Sequence, residues 1–338
     1  MTKGKIMAYM LPVAVVAIIV AVAFGKRNDG TYQKDTGFIF GTSYNVTYES
    51  GKNYKKEIVD VLNEVDRSLS PFNDSSIITA VNNNKDTELN TYFTDVFTLA
   101  DKICKDTQGA FDITVAPLVN AWGFGFKNGT MPTQTQIDSI KSFVGFNHVT
   151  LTNGKIHKDD PRTMLDCSAI AKGYGVDKVA ELLEAKGIKN YMVEIGGEII
   201  VKGVNPEKKN WHIAVIKPTD DSLSTSQEMQ TILKITDIAM ATSGNYRNYY
   251  YKDGKKYAHT IDPKTGRPVQ HNILSATVLA PTCAQADAYA TSFMVSGLDK
   301  AKQILSRHKE MMAYIIYNDE KGKYSVWYSP AMKKHIGN

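Results

Sequence analysis

The chain has 338 residues, 43% hydrophobic and 22% charged, with a formal charge of +5 and a pI near 8.8. That length and composition exclude a disulfide-stapled miniprotein or a disordered chain and admit one large domain or two interlocked lobes. The basic excess is mild, and no dense Lys/Arg block interleaved with aromatics occurs, so a nucleic-acid partner is not expected.

Lys3 and Lys5 precede an unbroken apolar run, Met7 to Phe24, followed by Lys26 and Arg27. The run is about long enough to span a bilayer. It also reads as a signal peptide, with Ala21-Val22-Ala23 as a cleavage site. Its length and flanking charge favour an uncleaved inner-membrane anchor, residues 1–27, with the body on the periplasmic or extracytoplasmic side of a bacterial envelope. Polar residues 28–36 read as a tether, and residues 37–338 as one catalytic domain.

Ser43 to Glu49 alternates as a strand does. Tyr54 to Leu69 places Ile58, Val61, Leu62, Val65 and Leu69 on one helical face. A loop at Ser70 to Asp74 ends it, and a second amphipathic helix carries Phe93, Val96, Phe97, Ala100, Ile103 and Cys104. Gly109 to Asp112 is a break, Trp122 to Gly129 a loop, and Thr133 to Val144 a further short helix. After Asp166 a helix runs to Gly187, which is placed to end it. Strands follow at Tyr191–Ile195, Glu198–Lys202, Trp211–Ile216 and Ile238–Ala241, and Tyr257 to Ile261 precedes the turn Asp262 to Gly266. A strand from Leu274 to Leu279 feeds a helix opened by Ala280 to Ser292. Asp299 to His308 reads as a helix, Met312–Tyr317 and Tyr324–Trp327 as strands. Strict β-α alternation is lacking, which points to α+β, with mixed, largely antiparallel sheets and flanking helices. The odd count of three cysteines, Cys104, Cys167 and Cys283, leaves room for at most one disulfide, and each reads as a small buried hydrophobe.

Several familiar sites are missing. There is no Walker A sequence, no H-E-x-x-H and no nucleophile elbow, and Gly196-Gly197 joins strand to strand rather than strand to helix. Asp287 and Thr291 lie one helical turn apart on one face, where a carboxylate and a hydroxyl suit a hard cation such as magnesium. Taken alone, the pair fits an Ala-rich core helix better, and His259 beside its turn fits a structural role.

Read together, four ordered segments change this: FGTSYNVTY from Phe40, LDCSAIAKGYGVDKVAELLEAKGIKNYMVEIGGEI from Leu165, ATSGNYRNYYYKDGKKYAHTIDPKTGRPV from Ala241, and LSATVLAPTCAQADAYATSFMVSG from Leu274. The set resembles the ApbE family of FAD:protein FMN transferases. The resemblance implies two lobes with FAD in the cleft between them. It also implies magnesium-dependent transfer of the FMN half of FAD to a Thr hydroxyl of a partner, with release of AMP. Partners of the family include subunits of sodium-pumping NADH:quinone reductase and Rnf complexes. By position, Phe40 and Phe72 fall beside the flavin, where the family often has Met and Tyr. Ala110, Phe111, Asp112, Asp166, Lys172, His259 and Thr260 match FAD-contacting positions. Ala169 and Ala284 match positions offering chain carbonyls to the metal, and Asp287 and Thr291 match its side-chain ligands. Glu198 and Asn245 depart from the family, which often has Asp at each. His259 is the candidate proton acceptor, since an imidazole titrates near neutrality. An FAD pyrophosphatase and a non-catalytic flavin-binding protein are the rival readings. No flavin-acceptor motif is present, so the modified Thr is expected on another protein.

Overall fold

The computed structural model describes residues 30–126, 131–218, 228–245, 249–252, 255–270 and 272–337. The anchor expected over Met7–Phe24 lies outside the described residues; among those described, no helix is long and apolar enough to cross a membrane.

Among the described residues eight strands form the central sheet: β1 (Tyr32–Ile39), β2 (Thr42–Glu49), β3 (Tyr191–Ile195), β4 (Glu198–Lys202), β5 (Ile238–Gly244), β6 (Ile273–Ala280), β7 (Met312–Asn318) and β8 (Tyr324–Tyr328). They lie side by side in chain order, every neighbouring pair antiparallel. Five longer helices, α1 (Lys55–Leu69), α2 (Thr91–Asp106), α3 (Ala171–Ala185), α4 (Cys283–Ser296) and α5 (Leu298–Arg307), complete an α+β fold, as the lack of β-α alternation implies.

The period of two divides the sheet's side chains between its faces. On β2, Tyr44, Val46 and Tyr48 join a core with Ile58 and Leu62 of α1 and Val176, Val179 and Leu183 of α3. On β6, Ala276, Val278 and Ala280 join the helix-side core, while Leu279 faces the other way. There a hairpin, Trp211–Ile216 with Met229–Ile235, covers Met192, Ile199, Val201, Met312 and Ile316. Each fully buried Leu, Ile or Val contributes about 1.5–3 kcal/mol on either face.

Two expectations are corrected. The tether over 28–36 becomes strand at Tyr32, because β1 pairs with β2 along its whole length. Its polar Asp35 is buried, accepting hydrogen bonds from Tyr48 Oη (2.7 Å) and Asn53 Nδ2 (2.9 Å). The stretch before the expected turn divides between two short hairpins: Lys255–Ala258 pairs with Tyr249–Lys252, and Ile261–Asp262 pairs with Arg267–Pro268 across that turn. His259 and Thr260 fall in the gap, where Thr260 donates to Asn245 Oδ1 (2.7 Å) and accepts at its carbonyl from Val269 (3.0 Å). The helix opened at Ala280 begins only at Cys283, capped by Thr282, whose hydroxyl accepts from the Gln285 N–H. The three cysteines are free and buried.

Candidate active site

Helix α4 is buried on nearly every side, as a helix at the centre of a fold must be. It lies against α3, β5 and β6. The approach to α3 is close: a Cβ on Gly173 would sit 2.4 Å from the Cys283 carbonyl oxygen, so only glycine fits there. Two contacts lock the pair. Asp177 of α3 accepts from the N–H groups of Cys283 (2.7 Å) and Ala284 (2.8 Å), the first residues of α4. The Gly173 N–H in turn donates to Asp287 Oδ2 at 3.2 Å.

Beside this junction opens a cleft of about 440 Å³, within the ~300–1,000 Å³ range of small-molecule sites. Of the residues singled out in the sequence, Phe72, Ala110, Phe111, Asp112, Asp166, Ala169, Lys172, His259, Thr260, Asp287 and Thr291 line it. They come from points 219 residues apart in the chain, from Phe72 to Thr291. Phe40 and Ala284 are not among its lining residues. Phe40 sits in the β1–β2 turn at φ 52°, its ring against Gly175, where a Cβ would lie 2.8 Å from Cε2. Ala284 is buried at the start of α4.

The cleft has two unlike walls. One is aromatic and apolar, with Phe72, Phe111, Ile113, Val119 and Phe124. Phe72 is 72% exposed and meets Phe126 edge to face with ring centres 6.3 Å apart. Asp112 belongs to this wall, but its carboxylate is taken up by its own loop. It accepts from Thr114 N–H (2.8 Å), Thr114 Oγ1 (2.7 Å) and the Phe146 N–H (3.2 Å), and burial still raises its pKa. Asp166 caps its own turn by accepting from the Ser168 N–H at 2.8 Å.

The other wall carries charge. Lys172 Nζ lies 3.2 Å from Glu198 Oε1 and 3.7 Å from Asp287 Oδ2. Both carboxylates are buried, while the lysine side chain is 28% exposed. Burial works against the ammonium, yet Asp287 and Glu198 together outweigh it and hold the Lys172 pKa above its ordinary value. Burial pushes Glu198 up to about 7 and raises Asp287, Lys172 moderating both. Glu198 Oε2 is buried without a hydrogen-bond partner. Glu198 follows a turn at Gly196 and Gly197, whose φ values of 62° and 105° favour glycine.

Glu198 as a wall residue was not legible as such; the only signal was its departure from the family pattern. Thr242, Ser243 and Gly244 at the end of β5 also line the cleft; they open one of the four segments that carry the resemblance but were not singled out as site residues. As a test of a divalent cation, the donor chemistry fits: Asp287 and Thr291 are hard oxygen donors on one wall, beside the unpaired Glu198 oxygen. Among the described residues no three His, Cys, Asp or Glu side chains are grouped to hold a metal by themselves.

The profile of the ApbE family matches residues 40–316. The FAD:protein FMN transferase of Vibrio cholerae is 38% identical over 296 residues, covering 84% of this chain and 87% of that protein. That of Escherichia coli K12 is 38% identical over 291 residues, covering 83% and 81%. A solved structure, the flavin transferase ApbE from Vibrio cholerae, superposes with a TM-score of 0.81 at 34% identity, over 91% of this chain and all of the other. With the profile spanning most of the chain and the fold shared along nearly its whole length, this protein belongs to the ApbE family.

Proposed function

We propose that this chain is an FAD:protein FMN transferase, moving the FMN half of FAD to a threonine hydroxyl of a partner protein and releasing AMP. The observation that carries the reading is the cleft: one aromatic wall suited to a flavin and one charged wall suited to a pyrophosphate, joined in a single cavity. The names of the relatives point the same way.

Phe72 and Phe111 offer ring faces for the isoalloxazine. Lys172 supplies a positive point charge for the pyrophosphate oxygens. His259, between the two short hairpins at the cleft, accepts the proton of the incoming hydroxyl. Asp287 and Thr291, with the carbonyls of Ala169 and Ala284, would hold magnesium. The ion would supply charge neutralisation on the phosphoryl oxygens. Ala284 does not line the cleft, so its carbonyl enters that set on the family resemblance alone. The acceptor is a flavin-carrying subunit of the sodium-pumping NADH:quinone reductase or Rnf kind. Residues 7–24 anchor the body outside the cytoplasmic membrane.

The test is direct. Full-length protein in detergent is mixed with FAD, magnesium and a candidate acceptor, and the acceptor's mass is measured. A gain equal to bound FMN, with one AMP released per transfer, supports the reading. AMP and free FMN with an unchanged acceptor would identify a pyrophosphatase, and no AMP at all a flavin carrier.

A further inference from the structure

The charged wall contains an arrangement that the proposed transfer does not account for. Glu198 and Asp287 are both buried, 3% and 5% exposed, and share a single ammonium. Only one oxygen of Glu198 meets it; Oε2 has no partner. The other contact of Asp287 Oδ2 is the Gly173 N–H. Two buried carboxylates that are both ionised repel each other and have lost hydration, so keeping both charged calls for a compensating cation. Lys172 is that charge here, and its long stem leaves it free to swing, since part of the side chain is open to the cleft.

We propose that the Lys172 ammonium occupies, between Glu198 and Asp287, the place a divalent cation takes, so that lysine and cation exclude each other there and Glu198 becomes an oxygen ligand of the bound ion. The inference rests on the proposed metal role of Asp287 and extends it. A hard dication prefers several oxygen donors, and the unpaired Glu198 oxygen is an anionic one already desolvated within the wall. The ammonium displaced by the ion remains at the cleft, where the anionic centre of the dinucleotide offers it new partners. Competition of this kind has a definite sign. Removing a positive charge should tighten the binding of a cation rather than leave it unchanged.

The experiment titrates full-length protein, without nucleotide, with Mn²⁺ at pH 8. The free ion is read by electron paramagnetic resonance. Lys172→Met should bind Mn²⁺ about tenfold more tightly than wild type, and Glu198→Gln about tenfold more weakly, the scale of ordinary site-to-site coupling. Lys172→Arg, which keeps the charge, should stay within about threefold of wild type on that scale. Glu198→Gln is nearly isosteric, so it carries the test even if Lys172→Met fails to fold. Wild-type affinity in both Lys172→Met and Glu198→Gln, with binding abolished in Asp287→Ala, would overturn this inference and leave the Asp287 assignment standing. Undiminished Mn²⁺ binding in Asp287→Ala would remove both.

Discussion

The two faces of the central sheet are built on the same strands and do different work. On the hairpin face, Trp211, Ile213, Val215, Leu233 and Ile235 close over Met192, Ile199, Val201 and Ile316 in an apolar cluster. On the helix face the core is larger, and Asp177, Glu198 and Asp287 are buried within or beside it. Burying an apolar side chain stabilises; burying a carboxylate costs unless every oxygen is matched. The hairpin face therefore answers mainly to packing, while the helix face gives up stability to hold charge at the cleft. The contrast can be broken at either side.

The largest effect is expected on the helix face. Asp287→Ala should lower FMN transfer by at least about a thousandfold, equivalent to roughly 4 kcal/mol. The melting temperature should stay close to wild type, since a buried charge is removed along with the Gly173 N–H contact and the 3.7 Å Lys172 pair, while Lys172 keeps Glu198 as its partner. Transfer at wild-type rate in this variant would falsify the metal assignment.

Trp211→Ala should show the reverse pattern. Trp211 is 3% exposed and donates from Nε1 to the Lys202 carbonyl at 3.1 Å. Its truncation should cost about 3–5 kcal/mol of unfolding free energy. Transfer per folded molecule should be unaltered, measured below the lowered melting point. A catalytic defect without a stability defect would show that the faces are not separable.

A third test uses pH. Burial pushes Asp177 and Glu198 up to about 7 each, from ordinary values near 4. For an acid whose folded pKa is raised, the native state holds more protons between the two values. Its stabilising contribution is present below pH 4 and is lost as pH rises through 7. The unfolding free energy read from urea midpoints should fall as pH rises from about 4 to 7, by roughly several kcal/mol in total, since both groups move from near 4 to about 7. Glu198→Gln should flatten the slope; Trp211→Ala should displace the curve and keep it. Parallel curves for wild type and Glu198→Gln would contradict the assignment of that slope to the charged wall.

The smallest effect is expected at Thr291. Thr291→Val keeps the shape and removes one neutral oxygen that water partly replaces. Transfer should fall about tenfold, roughly 1.4 kcal/mol, and recover in part at high magnesium. A loss that magnesium does not relieve would move Thr291 from the ion to the packing of α4.

Much of the fold was readable because it rests on local periodicity. Ile58, Leu62, Val65 and Leu69 declare the inner face of α1, and Tyr44, Val46 and Tyr48 that of β2, before any neighbour is known. The i to i+4 spacing of Asp287 and Thr291 likewise puts both on one helical face from sequence alone. Composition failed where a polar segment is held by partners far along the chain. Residues 32–36 look like a tether because nothing local says that Asp35 will be buried under Tyr48 and Asn53.

The site itself belongs to tertiary structure. Glu198 and Lys172 are 26 positions apart, and Asp287 lies 89 beyond Glu198, so no period in the chain relates them. They meet because Gly173 admits the backbone of α4 and Asp177 fixes where that helix starts. Sequence alone determined which residue types can do the chemistry and which face of their own element they occupy. The fold decided which of them share one lysine, because charge interaction depends on distance in space and on the removal of water, and neither is a property of the chain order.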